Sequence, residues 1–309
     1  MTGSKVASGF HKSAVNFIQW SPNSDVFATA SDDYTIKIWN SDGELVQTLS
    51  GAHDQPVYAL AFFKGGEDLI SGGLDKRIIH WDLTTGKPHK GLKFRPHNFS
   101  VETIAFSPDY TRLVTGSRDL SWKLWEYQPT LVREIYKVPN AHFSYVMSSA
   151  WSPNGEKVIT GSFDREIRQW NIVNGERIRV FEAAVKDDKK KKKSSGSHEK
   201  SIARVTWSSR DGIASIDTGG TAKVWSPDGT EIRAFDAHTG GNHIEYSHDS
   251  SKLTTTGEDG YVHVWSSTDF TKIATFSTNK VNIKCAAFNG SDKMIAYGDD
   301  IGSVFIADI

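Results

Sequence analysis

The sequence predicts an all-β fold, a seven-bladed β-propeller closed by an N-terminal strand that completes the last blade. Three recurring landmarks carry that prediction. Trp recurs at positions 39, 81, 125, 170, 225 and 265, with spacings of 42, 44, 45, 55 and 40 residues, near the period of a four-stranded blade. His11, His53, His97 and His142 each stand 28 residues before their Trp, and His198 and His238 stand 27 before theirs. Asp33, Asp75, Asp119, Asp164 and Asp259 lie six residues before Trp39, Trp81, Trp125, Trp170 and Trp265. Three residue types held in one register mark a single structural unit used repeatedly.

Each unit reads the same way from its His. An apolar-x-x-apolar-x-aromatic strand comes first, as in Val15, Ile18 and Trp20 or Val101, Ile104 and Phe106, and it ends in a turn such as Ser21-Pro22-Asn23 or Ser107-Pro108-Asp109. A small-residue strand then enters the Asp turn and an alternating strand leaves it, as in Thr160-Gly161-Ser162-Phe163-Asp164 through Trp170. β-Branched and aromatic residues fill these runs, Pro and Gly punctuate them, and no stretch sustains a helical period. The last unit, Val281–Asp308, has Asn279 in place of His, Ile301 in place of Asp and Ala307 in place of Trp, and it holds only three strands. Lys5–Gly9 belongs to no unit of its own, so it is expected to pair onto the last blade and remove the open sheet edge. Residues 1–309 then read as one domain. One segment exceeds the repeat, because Trp170 to His198 is 28 residues where the other gaps are 13 to 17. The excess, residues 185–197, is polar and Lys-rich, and is expected to be a disordered loop between blades four and five.

Composition narrows the function classes. A net charge of −1 supplies no overall field for nucleic acid or an anionic membrane. The single cysteine, Cys285, precludes an internal disulfide and a thiolate metal cluster, and fits a reducing compartment. No signal-peptide core opens the chain, and no stretch approaches the roughly 18 apolar residues of a membrane helix. The expectation is a soluble, cytoplasmic protein, with Lys189–Lys193 as a possible nuclear signal diluted by Asp187 and Asp188.

The pairs Ala52-His53, Pro96-His97, Ala141-His142 and Ala237-His238, with Trp81-Asp82 as the one literal WD, carry a resemblance to the WD-repeat (WD40) β-propeller family over nearly the whole chain. That resemblance implies a buried His–Ser/Thr–Asp–Trp tetrad in each blade. Its members would be His11, Ser31, Asp33 and Trp39; His53, Asp75 and Trp81; His97, Ser117, Asp119 and Trp125; His142, Ser162, Asp164 and Trp170; and His238, Asp259 and Trp265. Blade five departs from the pattern, with Gly219 at the turn-Asp position and Asp217 two residues early, so it is expected to lack the full tetrad.

Catalytic motifs are missing: the sequence has no GxSxG, HExxH, GxGxxG, P-loop or CxxC. His243, His248 and Asp249 could be drawn as a metal site, but they flank a strand-to-turn stretch, and the five histidines outside the register read as surface or satisfied side chains. No metal, cofactor or enzymatic activity is expected. The resemblance instead directs attention to the face around the central channel. Three positions per blade should point there: the residue before the turn Asp, and those four and six before the strand aromatic. They give Tyr58, Leu74, Arg118, Tyr145, Met147 and Phe163 on blades two to four, with Asp32 and Glu102 as acidic neighbours. Tyr and Arg dominate binding hot spots and Met supplies an adaptable apolar surface. The expected function is a non-catalytic scaffold, a monomeric ring within a larger complex, that holds a partner protein or peptide on this face. The alternatives are a reader of methylated or Arg-containing peptides, with Tyr58, Tyr145 and Phe163 caging a cation, and a subunit of a ubiquitin-ligase or ribosome-associated assembly. Leu83-Thr84 after the one WD pair lacks the Arg of the ligase-docking motif.

Overall fold

The computed structural model of the protein describes residues 4–23, 26–128, 131–182, 197–210, 212–278 and 281–309. Among the described residues, alternating apolar strands and Gly/Pro/Asp turns yield 28 strands in seven antiparallel four-stranded sheets. Strand β1 (Lys5–Phe10) comes first. Blade one is β2 (Val15–Trp20), β3 (Val26–Ser31), β4 (Ile36–Asn40) and β5 (Leu45–Leu49), and blade two is β6 (Val57–Phe62), β7 (Asp68–Gly73), β8 (Ile78–Asp82) and β9 (Lys87–Phe94). Blade three is β10 (Val101–Phe106), β11 (Arg112–Ser117), β12 (Trp122–Gln128) and β13 (Leu131–Val138). Blade four is β14 (Val146–Trp151), β15 (Lys157–Ser162), β16 (Ile167–Asn171) and β17 (Arg177–Val180). Blade five is β18 (Ile202–Trp207), β19 (Ile213–Asp217), β20 (Thr221–Trp225) and β21 (Glu231–Asp236). Blade six is β22 (Gly241–Tyr246), β23 (Lys252–Gly257), β24 (Tyr261–Ser266) and β25 (Lys272–Ser277). Blade seven is β26 (Ile283–Phe288), β27 (Met294–Asp299) and β28 (Ser303–Asp308).

The seventh blade takes its fourth strand from the other end of the chain. β1 pairs antiparallel with β28, Lys5 opposite Ile306 and Val6 opposite Phe305. The first strands of successive blades touch in sequence, and β26 touches β2, so the ring closes. Closure leaves the first strand of each blade as a short edge turned toward the channel, protected from other chains. Neighbouring blades are held mainly by apolar clusters between them, such as Ile18, Trp20, Phe27 and Trp39 against Cys285, Ala287 and Ile306. Inner-strand tryptophans add lateral hydrogen bonds, as where Trp20 Nε1 donates to the Ala287 carbonyl and Trp151 Nε1 to that of Ala105.

The tetrads form in blades one to six, with one correction to their membership. In blade one, Trp39 Nε1 lies 2.9 Å from Thr29 Oγ1, Thr29 Oγ1 lies 2.7 Å from His11 Nε2, and His11 Nδ1 lies 2.9 Å from Asp33 Oδ2. Indole nitrogen only donates, so the hydroxyl accepts from Trp and must donate to Nε2, leaving Nδ1–H to donate to the carboxylate. The hydroxyl member is therefore Thr29, Ser71, Thr115, Thr160, Ser215 or Thr255, each ten residues before its Trp. Ser31, Ser117 and Ser162, expected in that role, sit two residues later, where strand alternation places the same face again. Their hydroxyls accept the backbone N–H of the turn Asp instead. Blade five has a full tetrad, contrary to expectation. Asp217 lies at the position of those serines, yet its carboxylate reaches His198 Nδ1 at 3.1 Å, and Ser215 joins His198 to Trp225. Blade seven replaces the network with apolar packing: Tyr297 is buried in it and stacks on Phe305.

The expected loop of residues 185–197 has its bulk, including Lys189–Lys193, outside the described residues, as does Asn279. Its last member, Ser197, is a correction. Its side chain is buried, accepts the Ile167 N–H at 2.8 Å and donates to the Phe181 carbonyl at 2.6 Å, tying the start of β16 to the residue that follows β17. Among the described residues, no helix is long and apolar enough to cross a membrane.

Candidate partner-binding face

Two backbone devices aim the candidate residues at the channel mouth. In every blade, the N–H of the residue before the turn position bonds the carbonyl six before the strand aromatic. Asp32 bonds Ala14, Leu74 Pro56, Arg118 Ser100, and Phe163 Tyr145, and the same bond recurs from Thr218, Glu258 and Asp300. Between those positions, each inner strand carries a register shift. The extra residue is Asn16, Tyr58, Glu102, Met147, Ala203, Asn242 or Lys284. A β-bulge of this kind bends the strand and re-aims one side chain. The three position sets singled out in the sequence thus meet at one end of each blade.

At that end, blades two to four form a connected cluster. The Arg118 guanidinium lies 5.7 Å from the Tyr58 ring centre and 5.5 Å from that of Tyr145. Its Nε is 2.7 Å from Glu102 Oε1, and Ser100 donates to the same carboxylate. Tyr145 in turn meets Phe163 at 5.9 Å between ring centres. Burial raises the Glu102 pKa, against the opposing influence of Ser100 and Arg118. Glu102 is only 8% exposed, so it does not offer the contact surface expected of it; it holds Arg118. Asp32 is likewise engaged, accepting from Asn16 Nδ2 at 2.7 Å. Tyr58, Leu74 and Met147 are half-buried, while Tyr145 and Phe163 are exposed.

Sequence reasoning missed the outer arc of this surface. Phe143 is 84% exposed beneath Arg168, and Phe99 is exposed beside Lys76. Both follow a register His within two residues, so an aromatic in that otherwise polar loop was the available signal. Apolar exposure also extends beyond blades two to four, to Phe10, Tyr34 and Ile301 around the closure of the ring.

The histidines outside the register divide differently from expectation. His248 pairs with Asp292 at 3.1 Å, Asp249 is occupied by Ser247 and Ser251, and neither joins His243. His243 is buried beside Phe17 with no hydrogen-bond partner on either nitrogen, so it is not a satisfied side chain; burial, then the neighbouring Arg204 charge, hold its pKa well below normal. Arg204 itself lies over the Phe17 ring at 4.4 Å. It lines a channel cavity of about 470 Å³ with Glu245, whose pKa burial pushes up to about 7. Elsewhere His80 and His89 come together with Asp68 across β7, β8 and β9.

Comparison with known proteins agrees with this architecture. Residues 40–307 match the family model of the IFT122 first beta-propeller, and residues 4–40 match that of the WD domain, G-beta repeat. The chain belongs to the WD-repeat β-propeller family. It is 26% identical over 301 residues to the WD repeat-containing protein WDS homolog of Arabidopsis thaliana, which covers 94% of this chain and 54% of that protein. It is 26% identical over 264 residues to pre-mRNA-processing factor 17 of Homo sapiens, covering 82% and 43%. It is 29% identical over 168 residues to small ribosomal subunit protein RACK1y of Oryza sativa subsp. japonica, covering 52% and 49%. The chain thus spans about half the length of these curated relatives or less. WD-repeat propellers generally serve as protein-interaction scaffolds.

Proposed function

We propose that this propeller is a non-catalytic interaction scaffold whose partner protein or peptide docks on the channel-mouth face of blades two to four. The observation that carries the reading is the aromatic arc of Phe99, Phe143, Tyr145 and Phe163 around a half-exposed, pre-positioned Arg118. Contiguous exposed apolar surface with a polar rim marks interaction sites, and aromatic and Arg anchors contribute most where they are already held in place. Relatives named for a ribosomal subunit and for pre-mRNA processing support membership in a larger assembly.

The methyl-cation reading is less well supported. The space between Tyr58 and Tyr145 already holds the guanidinium of Arg118, neutralised by Glu102, so a ligand cation would have to displace it.

The test is a triple substitution, Tyr145→Ala, Met147→Ala and Phe163→Ala, compared with wild type by quantitative affinity purification and mass spectrometry. A matched control, Ile301→Ser, alters exposed apolar surface on blade seven. Loss of tenfold or more in the recovered partners, with thermal unfolding retained and the control unaffected, is expected. An unchanged partner set would overturn the assignment.

A further inference from the structure

The cluster on blade two has a feature that internal hydrogen bonding does not complete. Asp68 opens β7, His80 lies within β8 and His89 near the start of β9, so three neighbouring strands each contribute one ligand. His89 Nε2 is 2.8 Å from Asp68 Oδ1, His80 Nε2 is 3.5 Å from the same oxygen, and the three ligand atoms lie within 4.8 Å of one another. The two imidazoles face each other at 4.1 Å between ring centres. His80 is 2% exposed, and its Nε2 is buried without a hydrogen-bond partner. Its other nitrogen, Nδ1, meets the hydroxyl of Tyr127 from blade three at 2.7 Å.

We propose that Asp68, His80 and His89 form a binding site for a first-row divalent transition-metal ion of the zinc type. Two imidazole nitrogens and one carboxylate oxygen suit Zn²⁺ and its neighbours better than Mg²⁺ or Ca²⁺, which take oxygen shells. Bonds of 2.0–2.1 Å in tetrahedral array set ligand atoms about 3.3 Å apart, and the 2.8 and 3.5 Å separations bracket that spacing. With Nδ1–H donated to the Tyr127 hydroxyl, His80 Nε2 presents a buried lone pair without a donor, which is costly, and a cation between Asp68 and the two rings would satisfy it. Tyr127 occupies the outer position that in metal sites fixes the ligand's tautomer and ring plane. Partial exposure of Asp68 and His89 gives the ion a path in and leaves a fourth position for water. The site lies at the end of blade two remote from the Asp75 turn, so it is separate from the proposed docking face and does not depend on it.

The experiment uses the full chain stripped with EDTA and titrated with Zn²⁺ by calorimetry, then with Co²⁺ by visible absorption. The expected result is one ion per chain, a raised Tm on Zn²⁺ addition, and Co²⁺ bands of tetrahedral intensity. His89→Gln and Asp68→Asn, both at partly exposed positions, are expected to weaken binding at least tenfold and remove the Tm shift. Tyr127→Phe tests a positioning role and is expected to weaken binding by about tenfold while keeping one ion per chain. His248→Gln, elsewhere on the surface, should change nothing. Absence of stoichiometric binding, or equal binding by wild type, His89→Gln and Asp68→Asn, would overturn the proposal and leave only adventitious surface coordination.

Discussion

The tetrad histidines and His80 are built from the same chemical parts and end in opposite states. His142 has both nitrogens engaged, Nδ1 by Asp164 and Nε2 by Thr160, and the chain of donors ends on a carboxylate that accepts two further backbone N–H groups. His80 has a hydroxyl on one nitrogen and a carboxylate 3.5 Å from the other, a contact too long to satisfy it. Both are buried. A complete polar network fixes a strand crossing and is spent on doing so; an incomplete one retains capacity for something outside the chain. The distinction assigns the tetrads to the frame and the blade-two cluster to binding.

The largest expected effect comes from opening a closed network. Thr160→Val keeps the shape of the side chain but leaves His142 Nε2 and Trp170 Nε1 unpaired, at about 1–3 kcal/mol per buried group. The expected total is about 3 kcal/mol, read from urea unfolding. Ser162→Ala, at the position first expected to supply the hydroxyl, removes one bond to the turn and should cost about 1 kcal/mol. Equal costs would restore Ser162 to the tetrad and break the assignment.

Acidification attacks the same networks in two windows. Burial lowers the pKa of His11, His97, His142, His198 and His238, only partly opposed by their Asp partners. These histidines fold neutral, so their contribution is complete above the unfolded pKa near 6.5 and is lost as pH falls below it. Burial alone would raise Asp164, but the hydrogen bond and proximity of His142, with the Phe143 and Glu166 N–H groups, bring it to about 2. His142 is neutral, so the hydrogen bonds that Asp164 accepts are the main cause of its lowered pKa. A depressed Asp pKa stabilises above the unfolded value of 3.8 and loses that contribution as pH falls toward 2. Urea midpoints should therefore be flat above pH 7, decline below about 6.5 and fall more steeply below about 4. A maximum near pH 5 would contradict neutral histidines.

This contrast also explains what the sequence disclosed. The ring, its blade count and the N-terminal closure follow from period and register, because a repeated network leaves repeated letters. The hydroxyl member was misplaced because Thr160 and Ser162 point to the same face of one strand, and only the reach of the side chains separates them. Blade five was misjudged because Asp217 reaches His198 from a different backbone position. Asp68, His80 and His89 went unrecognised for a deeper reason: they occur once, on strands joined by pairing and not by any sequence period. Arg118 itself is legible from its register position, but its contacts with Tyr58 and Tyr145 join three blades and leave no period to read.

The smallest expected effect concerns the turn that presents Asp164. The residue after the turn Asp adopts a left-handed backbone in every blade with an Asp at that position, at φ 70 for Tyr34, 67 for Lys76, 68 for Leu120, 74 for Arg165 and 78 for Gly260. Blades five and seven place Gly220 and Gly302 at φ 93 and 97, where a Cβ would stand 2.0 Å from the His238 carbonyl oxygen and 2.3 Å from that of His11. In blades one to four the turn leaves room for a side chain, and the left-handed conformation costs about 1–2 kcal/mol. Arg165→Gly removes that strain, offset by about 0.5–1 kcal/mol of added freedom in the unfolded chain. The expected gain in stability is no more than about 1 kcal/mol, with the Asp164 network untouched and Zn²⁺ affinity unchanged. A loss larger than that would show that the Arg165 side chain, and not only its backbone carbonyl bonded by Ser197 and His198, belongs to the closed network.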